Sequence, residues 1–303
     1  MSRSIFLFVS FILLLSNCGG GVNTPPSQPA SSGNNGSGGN QPTQPVSSFA
    51  EMCNQPGVLF CDDFENGIDS SWIRDGGDVA VVPGTAVSGE GSHVVELRTY
   101  ENIQSSKIMQ TFPIQDDVFV RFDVQYDVDY DNSGGSHGPV LGGSMNPPWG
   151  MYGKAGIKPQ GNDYFTANFE PFGIVGVDGQ YSFYSYFVNM QPDGLGNYWG
   201  NYAISSLSPP PYVLPGQWQC VEFEVKMNTP GTANTDGAEK FWIDGVESGS
   251  FSGIQWRTVQ SLGINTFSLD SYNHFRNGAL PASNPNRVRY DNIVISTSRV
   301  GCL

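Results

Sequence analysis

From Glu51 to Leu303 no stretch keeps a helical spacing of apolar residues for long; the chain instead runs through short β-type segments separated by Gly, Pro, Asn and Asp clusters. Segments over 93–98, 107–112, 118–126, 151–157, 164–169, 181–188, 218–227, 240–243, 264–272 and 288–296 have the length and composition of strands. Their number and spacing predict an all-β fold, a two-sheet antiparallel sandwich in a single domain over 51–303. Asp244-Gly245 sits between Phe241-Trp242-Ile243 and Val246, the pattern of a two-residue hairpin turn in which Gly accepts positive φ. Frequent Gly, Ser and Asn in the connections let the sheets curve, and a curved sheet has a concave face.

The segment before this body is of another kind. An apolar run starts at Ile5 behind Arg3 and ends at Leu15-Ser16-Asn17-Cys18. It is too short to span a bilayer and has the layout of a cleaved export signal over 1–17, with Cys18 as a lipidation site. An ordinary secretory signal with an incidental Cys is the alternative. Residues 18–50 are Gly, Ser, Asn, Pro, Gln and Thr with almost nothing apolar, so they are expected to form a disordered tether. This layout predicts an exported lipoprotein of a bacterial outer membrane or cell surface that touches the membrane only through the anchor, and the protein is expected to be a monomer.

The formal net charge is −14, which argues against nucleic acid and against anionic membrane surfaces as partners. Four cysteines besides Cys18 imply two disulfides in an exported domain. Cys53–Cys61 closes a small loop with Pro56-Gly57 at its bend, and Cys220–Cys302 pins the last residues; this is the favoured pairing of three. Zinc is the rival reading, but no pair has the C-x-x-C spacing.

Cys61-Asp-Asp-Phe-Glu65 opens the body and Val288-Arg-Tyr-Asp-Asn-Ile-Val-Ile295 closes it. Period-two alternation sets Asp63 and Glu65 on one face, and Asp291 on the face of Ile293 and Ile295. A carboxylate entering a core needs a cation or several donors, so Asp63, Glu65 and Asp291 are expected to hold a structural Ca²⁺. An Asp291–Arg289 surface pair or a turn-capping Asp is the alternative.

These two bookends resemble those of the concanavalin A-like jelly-roll domains of extracellular carbohydrate-active proteins. His137-Gly-Pro-Val-Leu-Gly-Gly143 resembles the Lys-Leu-Pro-Gly-x-x-Gly-Gly stretch of polysaccharide lyases acting on alginate and glucuronan. Pro215-Gly-Gln-Trp-Gln, Val225-Lys-Met-Asn-Thr-Pro-Gly231 and Phe241-Trp-Ile-Asp-Gly245 look like the later strands of that group, in the same order. Similar features occur in the fungal cellulose-induced jelly-roll proteins. The resemblance implies a jelly roll over most of 60–300 and a basic catalytic residue at the position that His137 occupies.

Cleavage by a lyase of uronic polymers removes the C5 proton, neutralises the substrate carboxylate and expels the 4-O-linked sugar, work suited to His, Lys, Arg and Tyr. His137 is the expected base or carboxylate neutraliser, Lys154 its electrostatic support and Tyr164 the proton carrier. Thr166 and Asn168 follow Tyr164 on its strand face and suit sugar hydroxyls. Arg98 joins them if its strand lies in the same sheet, and His274, in a loop with Arg276, suits a substrate-lining role. In Tyr181–Phe187 the alternation separates Tyr184 and Tyr186 from Phe183 and Phe187, and the tyrosines suit sugar stacking.

A retaining hydrolase needs two carboxylates about 5.5 Å apart, and the Glu-x-Asp-x-x-Glu pattern of jelly-roll glucanases is absent from the chain. Glu222 with Glu224, and Glu239, Asp244 and Glu247 about the hairpin, read as solvated strand edges. The sequence reads as a surface-tethered polysaccharide lyase cleaving a uronic-acid polymer by β-elimination. A non-catalytic carbohydrate-binding jelly roll is the runner-up, and a structural or adhesive lipoprotein the third.

Overall fold

The computed structural model describes residues 47–132, 135–171, 179–275 and 278–303. The signal over 1–17, Cys18, nearly all of the 18–50 linker and Arg276 lie outside the described residues.

Two antiparallel sheets form the body. The back sheet runs β14 (Val246–Ile254), β13 (Gly237–Ile243), β12 (Gln219–Lys226), β6 (Asp117–Tyr126), β16 (Asn286–Ser296), β4 (His93–Thr99) and β3 (Asp78–Pro83), with β1 (Val58–Asp62) also paired to β16. The front sheet runs β11 (Asn201–Ile204), β10 (Ser182–Tyr186), β9 (Tyr164–Glu170), β8 (Val140–Ser144), β15 (Ile264–Asn273), β5 (Ser105–Gln115) and β2 (Ile73–Arg74), with β7 (Ser136–His137) also on β15. Sequence neighbours are repeatedly dealt to different sheets, as β4 is to the back and β5 to the front, and the result is a jelly-roll sandwich.

Alternation decides what lies between the layers. Val118, Val120, Phe122 and Val124 of β6 face Phe165, Ala167 and Phe169 of β9 in one core. Phe169 is its hub, with Tyr181, Phe183, Phe223 and Phe241 all within 5.2–5.4 Å between ring centroids. Truncating such a residue to Ala typically costs about 3–5 kcal/mol. At the hairpin, Asp244 and Gly245 both adopt left-handed φ, 50° and 79°, as a two-residue turn of this type requires.

Outside the core, a five-residue helix, α1 (Phe49–Cys53), is capped by Ser48, whose side chain accepts from the Glu51 N–H. It therefore straddles the boundary expected at residue 50. Phe49 and Met52 pack on Val294, with Val300 and Leu303 of the C-terminal tail beside them. Cys53–Cys61 and Cys220–Cys302 form the two disulfides, in the favoured pairing.

Several local expectations need correction. Residues 151–157 do not form a strand: a 3₁₀ turn, Trp149–Met151, leads into a loop in which Gly153 and Gly156 take φ of 67° and 78°, which no strand tolerates. Asp63 and Glu65 do not alternate on a strand, because β1 ends at Asp62 and Phe64 has φ 57°. Asp291 is buried but does not share the face of Ile293. A bulge between Asp291 and Val294, with Asn292 at φ 52°, reverses the alternation, so that Tyr290 and Ile293 both enter the core. Nor are Glu222, Glu224 and Glu239 solvated edges, since all three are buried. Glu222 accepts from Arg299 Nε and from the Val300 and Gly301 N–H groups, anchoring the C-terminal tail.

Candidate active site

The motif around His137 has a steric basis. A Cβ on Gly138 would strike the Phe169 carbonyl, and one on Gly143 would strike the Gly263 carbonyl. Only glycine lets this segment lie so close to β9 and to the strand entry before β15. Held there, β7 pairs Tyr272 with His137 in register, and His137 emerges on the outer face of the front sheet.

Period two brings the rest of that face together. In β9 and β10 the core takes Phe169 and Phe183, leaving Asn168, Glu170, Tyr184 and Tyr186 on the other side. In β15 and β5 it leaves Asp270 opposite Lys107 and Tyr272 opposite Ser105. All of these side chains except Glu170, which lies buried behind His137, border a cavity of 510 Å³ together with His137, Tyr152, Gly153, Ala155, Trp199 and His274.

His137 is the best-supported group in it. Its Nδ1 is hydrogen-bonded to Glu170 Oε1, and Glu170 is only 2 % exposed. Its Nε2 lies 3.3 Å from His274 Nε2. The ring stacks on Tyr272 at 5.6 Å and lies 5.4 Å from Tyr184. Burial opposes charge on the imidazole, but the Glu170 carboxylate, its hydrogen bond and then Asp270 outweigh it and hold the pKa above the ordinary value. Burial likewise raises the Glu170 carboxyl, against the pull of His137. The pair thus favours holding one proton between ring and carboxylate, with an N–H left to donate at Nε2. Lys107 Nζ stands 3.4 Å from Asp270 Oδ2 and 4.2 Å from the centre of the Tyr152 ring. Tyr184 and Tyr186 face each other with hydroxyls 3.4 Å apart, and burial above all raises the Tyr184 pKa, so that its phenol keeps its proton.

The expected residues divide among three places. His137, Asn168, Tyr184, Tyr186 and His274 line the main cavity. Lys154, Tyr164 and Thr166 border a second space of 120 Å³, which shares Tyr152, Asn168 and Tyr186 with the first. There Tyr164 is 1 % exposed and its hydroxyl donates to the Ile157 carbonyl at 2.5 Å, while Lys154 lies 5.2 Å over its ring. Arg98 is elsewhere: β4 belongs to the back sheet, where Arg98 pairs with Glu96 at 2.6 Å and Asp78 at 3.6 Å, so it adds no charge to this cavity.

Of the metal candidates, Glu65 is engaged by the Ser92 and His93 N–H groups at 2.7 Å each, and Asp63 accepts from the Glu65 N–H. Among the described residues no three His, Cys, Asp or Glu side chains are grouped to hold a metal ion.

Sequence reasoning missed Glu170, Lys107, Asp270, Tyr152, Tyr272 and Trp199. For Glu170 and Tyr272 a signal existed: one continues the Tyr164, Thr166, Asn168 face by one more step, and the other stands two residues before His274. For Lys107 and Asp270 the information lay in the pairing of strands 163 positions apart, which no local pattern carries.

No family model matches the chain, and no curated protein matches it. Solved structures do. An alginate lyase from Chlorella virus superposes with TM-score 0.55 at 16% identity, over 79% of this chain and 99% of that one. An alginate lyase from Aplysia kurodai gives 0.55 at 17% identity, over 76% and 91%. An endo-β-1,4-glucuronan lyase from the fungus Trichoderma reesei gives 0.53 at 16% identity, over 80% and 96%. At these identities the likeness speaks for the backbone arrangement alone: the chain has the jelly-roll sandwich fold on which those alginate and glucuronan lyases are built.

Proposed function

We propose that the protein binds a uronic-acid-containing polysaccharide across the outer face of the front sheet and cleaves it by β-elimination. The observation that carries this reading is His137, backed by the buried Glu170 and 3.3 Å from His274, in a tyrosine-walled cavity. The imidazolium Nε2–H of His137 donates to the sugar carboxylate, which acidifies the neighbouring C5–H. His274 takes the C5 proton. The C4–O4 bond breaks as the C4–C5 double bond forms, and the Tyr184 phenol supplies the proton to O4. The two proton transfers restore each other through solvent after product leaves. Tyr164, tied to a backbone carbonyl, is better suited to bracing the Lys154 loop than to moving protons. Lys154 then serves the polymer at a distance, as a rim cation.

The test is ultraviolet detection of the new double bond against alginate, glucuronan, pectin, ulvan and glycosaminoglycans. Tyr184→Phe should leave polymer binding intact and cut turnover by on the order of 10²-fold or more. A protein that binds polymer and never yields the double bond is the non-catalytic binding module instead.

Two further proposals concern placement and stability. Export and lipid attachment at Cys18 would set the domain on a bacterial surface; mass spectrometry of the membrane-bound form would show the acyl mass. Calcium near Asp291 would offset the burial that, with smaller repulsion from Asp123, Asp63 and Glu65, pushes its carboxyl up to about 8.

A further inference from the structure

The mouth of the His137 cavity carries an exposed tryptophan that the elimination chemistry does not use. Trp199 is 48% exposed, unusual for the largest apolar side chain, yet it is not loosely hung. Asp193 organises the whole turn beneath it. Its Oδ1 accepts from the Leu195 and Asn197 N–H groups at 2.8 and 2.9 Å, and its Oδ2 accepts from the Trp199 indole N–H at 3.0 Å. The same loop leans on the opposite rim through the Gly156–Tyr198 bridge. At its end Gly200 lies so close to the face of Tyr184 that a Cβ there would sit 2.6 Å from the ring. One carboxylate thus sets an exposed indole and, one residue on, braces an aromatic wall of the cavity.

We propose that Trp199 is a sugar-stacking platform for a pyranose ring adjoining the His137 cavity, and that Asp193 positions it; this rests on the groove being a polysaccharide site. An indole face that is held in advance loses little freedom on binding, so its contact area converts into affinity. A flat aromatic surface gains contact only from a ring face presenting C–H groups. The platform therefore selects uronates whose hydroxyls and linkages are equatorial, as in glucuronan, over those with axial groups, as in polyguluronate.

The experiment measures binding of glucuronan and polyguluronate fragments by titration calorimetry, in a His137→Ala background so that turnover consumes no ligand. KM in the otherwise unaltered protein is the second measurement. Trp199→Ala should weaken glucuronan binding about tenfold, leave polyguluronate binding nearly unchanged and keep the melting temperature. Trp199→Phe should recover most of the loss. Asp193→Asn, which keeps one acceptor but turns an N–H donor toward the indole N–H, should raise KM several-fold with kcat unchanged. Equal Kd for glucuronan with and without Trp199, or tighter binding of polyguluronate, overturns the proposal. Trp199-dependent binding in a protein that forms no double bond sustains it and removes the catalytic reading; absence of binding to either polymer, with double-bond formation on another uronic polymer, overturns the platform and leaves the catalytic reading standing.

Discussion

Glu239→Gln tests the electrostatics of the core. Glu239 points inward from β13, is 1 % exposed, and is met across the sandwich by the Ser185 hydroxyl at 2.8 Å. Desolvation, only partly offset by that hydrogen bond, pushes its carboxyl up from 4.5 to about 8. The folded pKa lies above the unfolded one, so between these values the folded protein binds the extra proton and stability falls as pH rises. Neutral pH lies about 2.5 units above the unfolded pKa, and each unit is worth about 1.36 kcal/mol, so the cost at pH near 7 is about 3 kcal/mol. Gln cannot ionise and still offers Ser185 an acceptor. Urea unfolding of both proteins should give nearly equal stability near pH 4 and a gap of about 3 kcal/mol in favour of Glu239→Gln near pH 7. Because every other group titrates alike in the two proteins, the difference isolates this residue. A gap that does not change with pH would refute the reasoning.

Other outcomes follow from the same contacts. Glu170→Gln removes the charge that holds the His137 proton, so turnover should fall on the order of 10²-fold near neutral pH and the alkaline limb of the pH profile should move to lower pH. Calcium should raise the melting temperature in a concentration-dependent way, and Asp291→Asn should abolish that rise; no effect of chelator on the wild-type protein would dismiss the ion. The disulfides span 8 and 82 residues. Replacing Cys53 and Cys61 by Ser should therefore cost about 2.5 kcal/mol and replacing Cys220 and Cys302 about 4.5 kcal/mol, read from denaturant midpoints. Tyr164→Phe should cost stability of order 1 kcal/mol for the lost bond to Ile157 and alter turnover little.

Strand runs were legible where one face is apolar and the other is not, as in β6, β9 and β12. The alternation failed at Asp291 because a bulge inserts an extra residue, and at 151–157 because an aromatic, glycine-rich loop resembles a strand by composition. The site shows the same division. His137, Asn168, Tyr184, Tyr186 and His274 could be named from motif and parity. Arg98 looked equally suitable, and only the distribution of β4 and β5 between two sheets rules it out. Glu239 and Glu222 were misread for a related reason: local polarity says nothing of what another strand or a tail lays over a carboxylate.

The way the chain enters and leaves the domain bears on how a long polymer could reach the groove. Phe49 and Met52 of α1 and the C-terminal residues Val300 and Leu303 all gather about Val294, on the outer side of the back sheet. The groove opens on the outer side of the front sheet, with the whole thickness of the sandwich between them. Any anchor joined to residue 47 would pull on the rear of the domain, so a polysaccharide many times longer than the cavity could slide across the front without meeting its own attachment point.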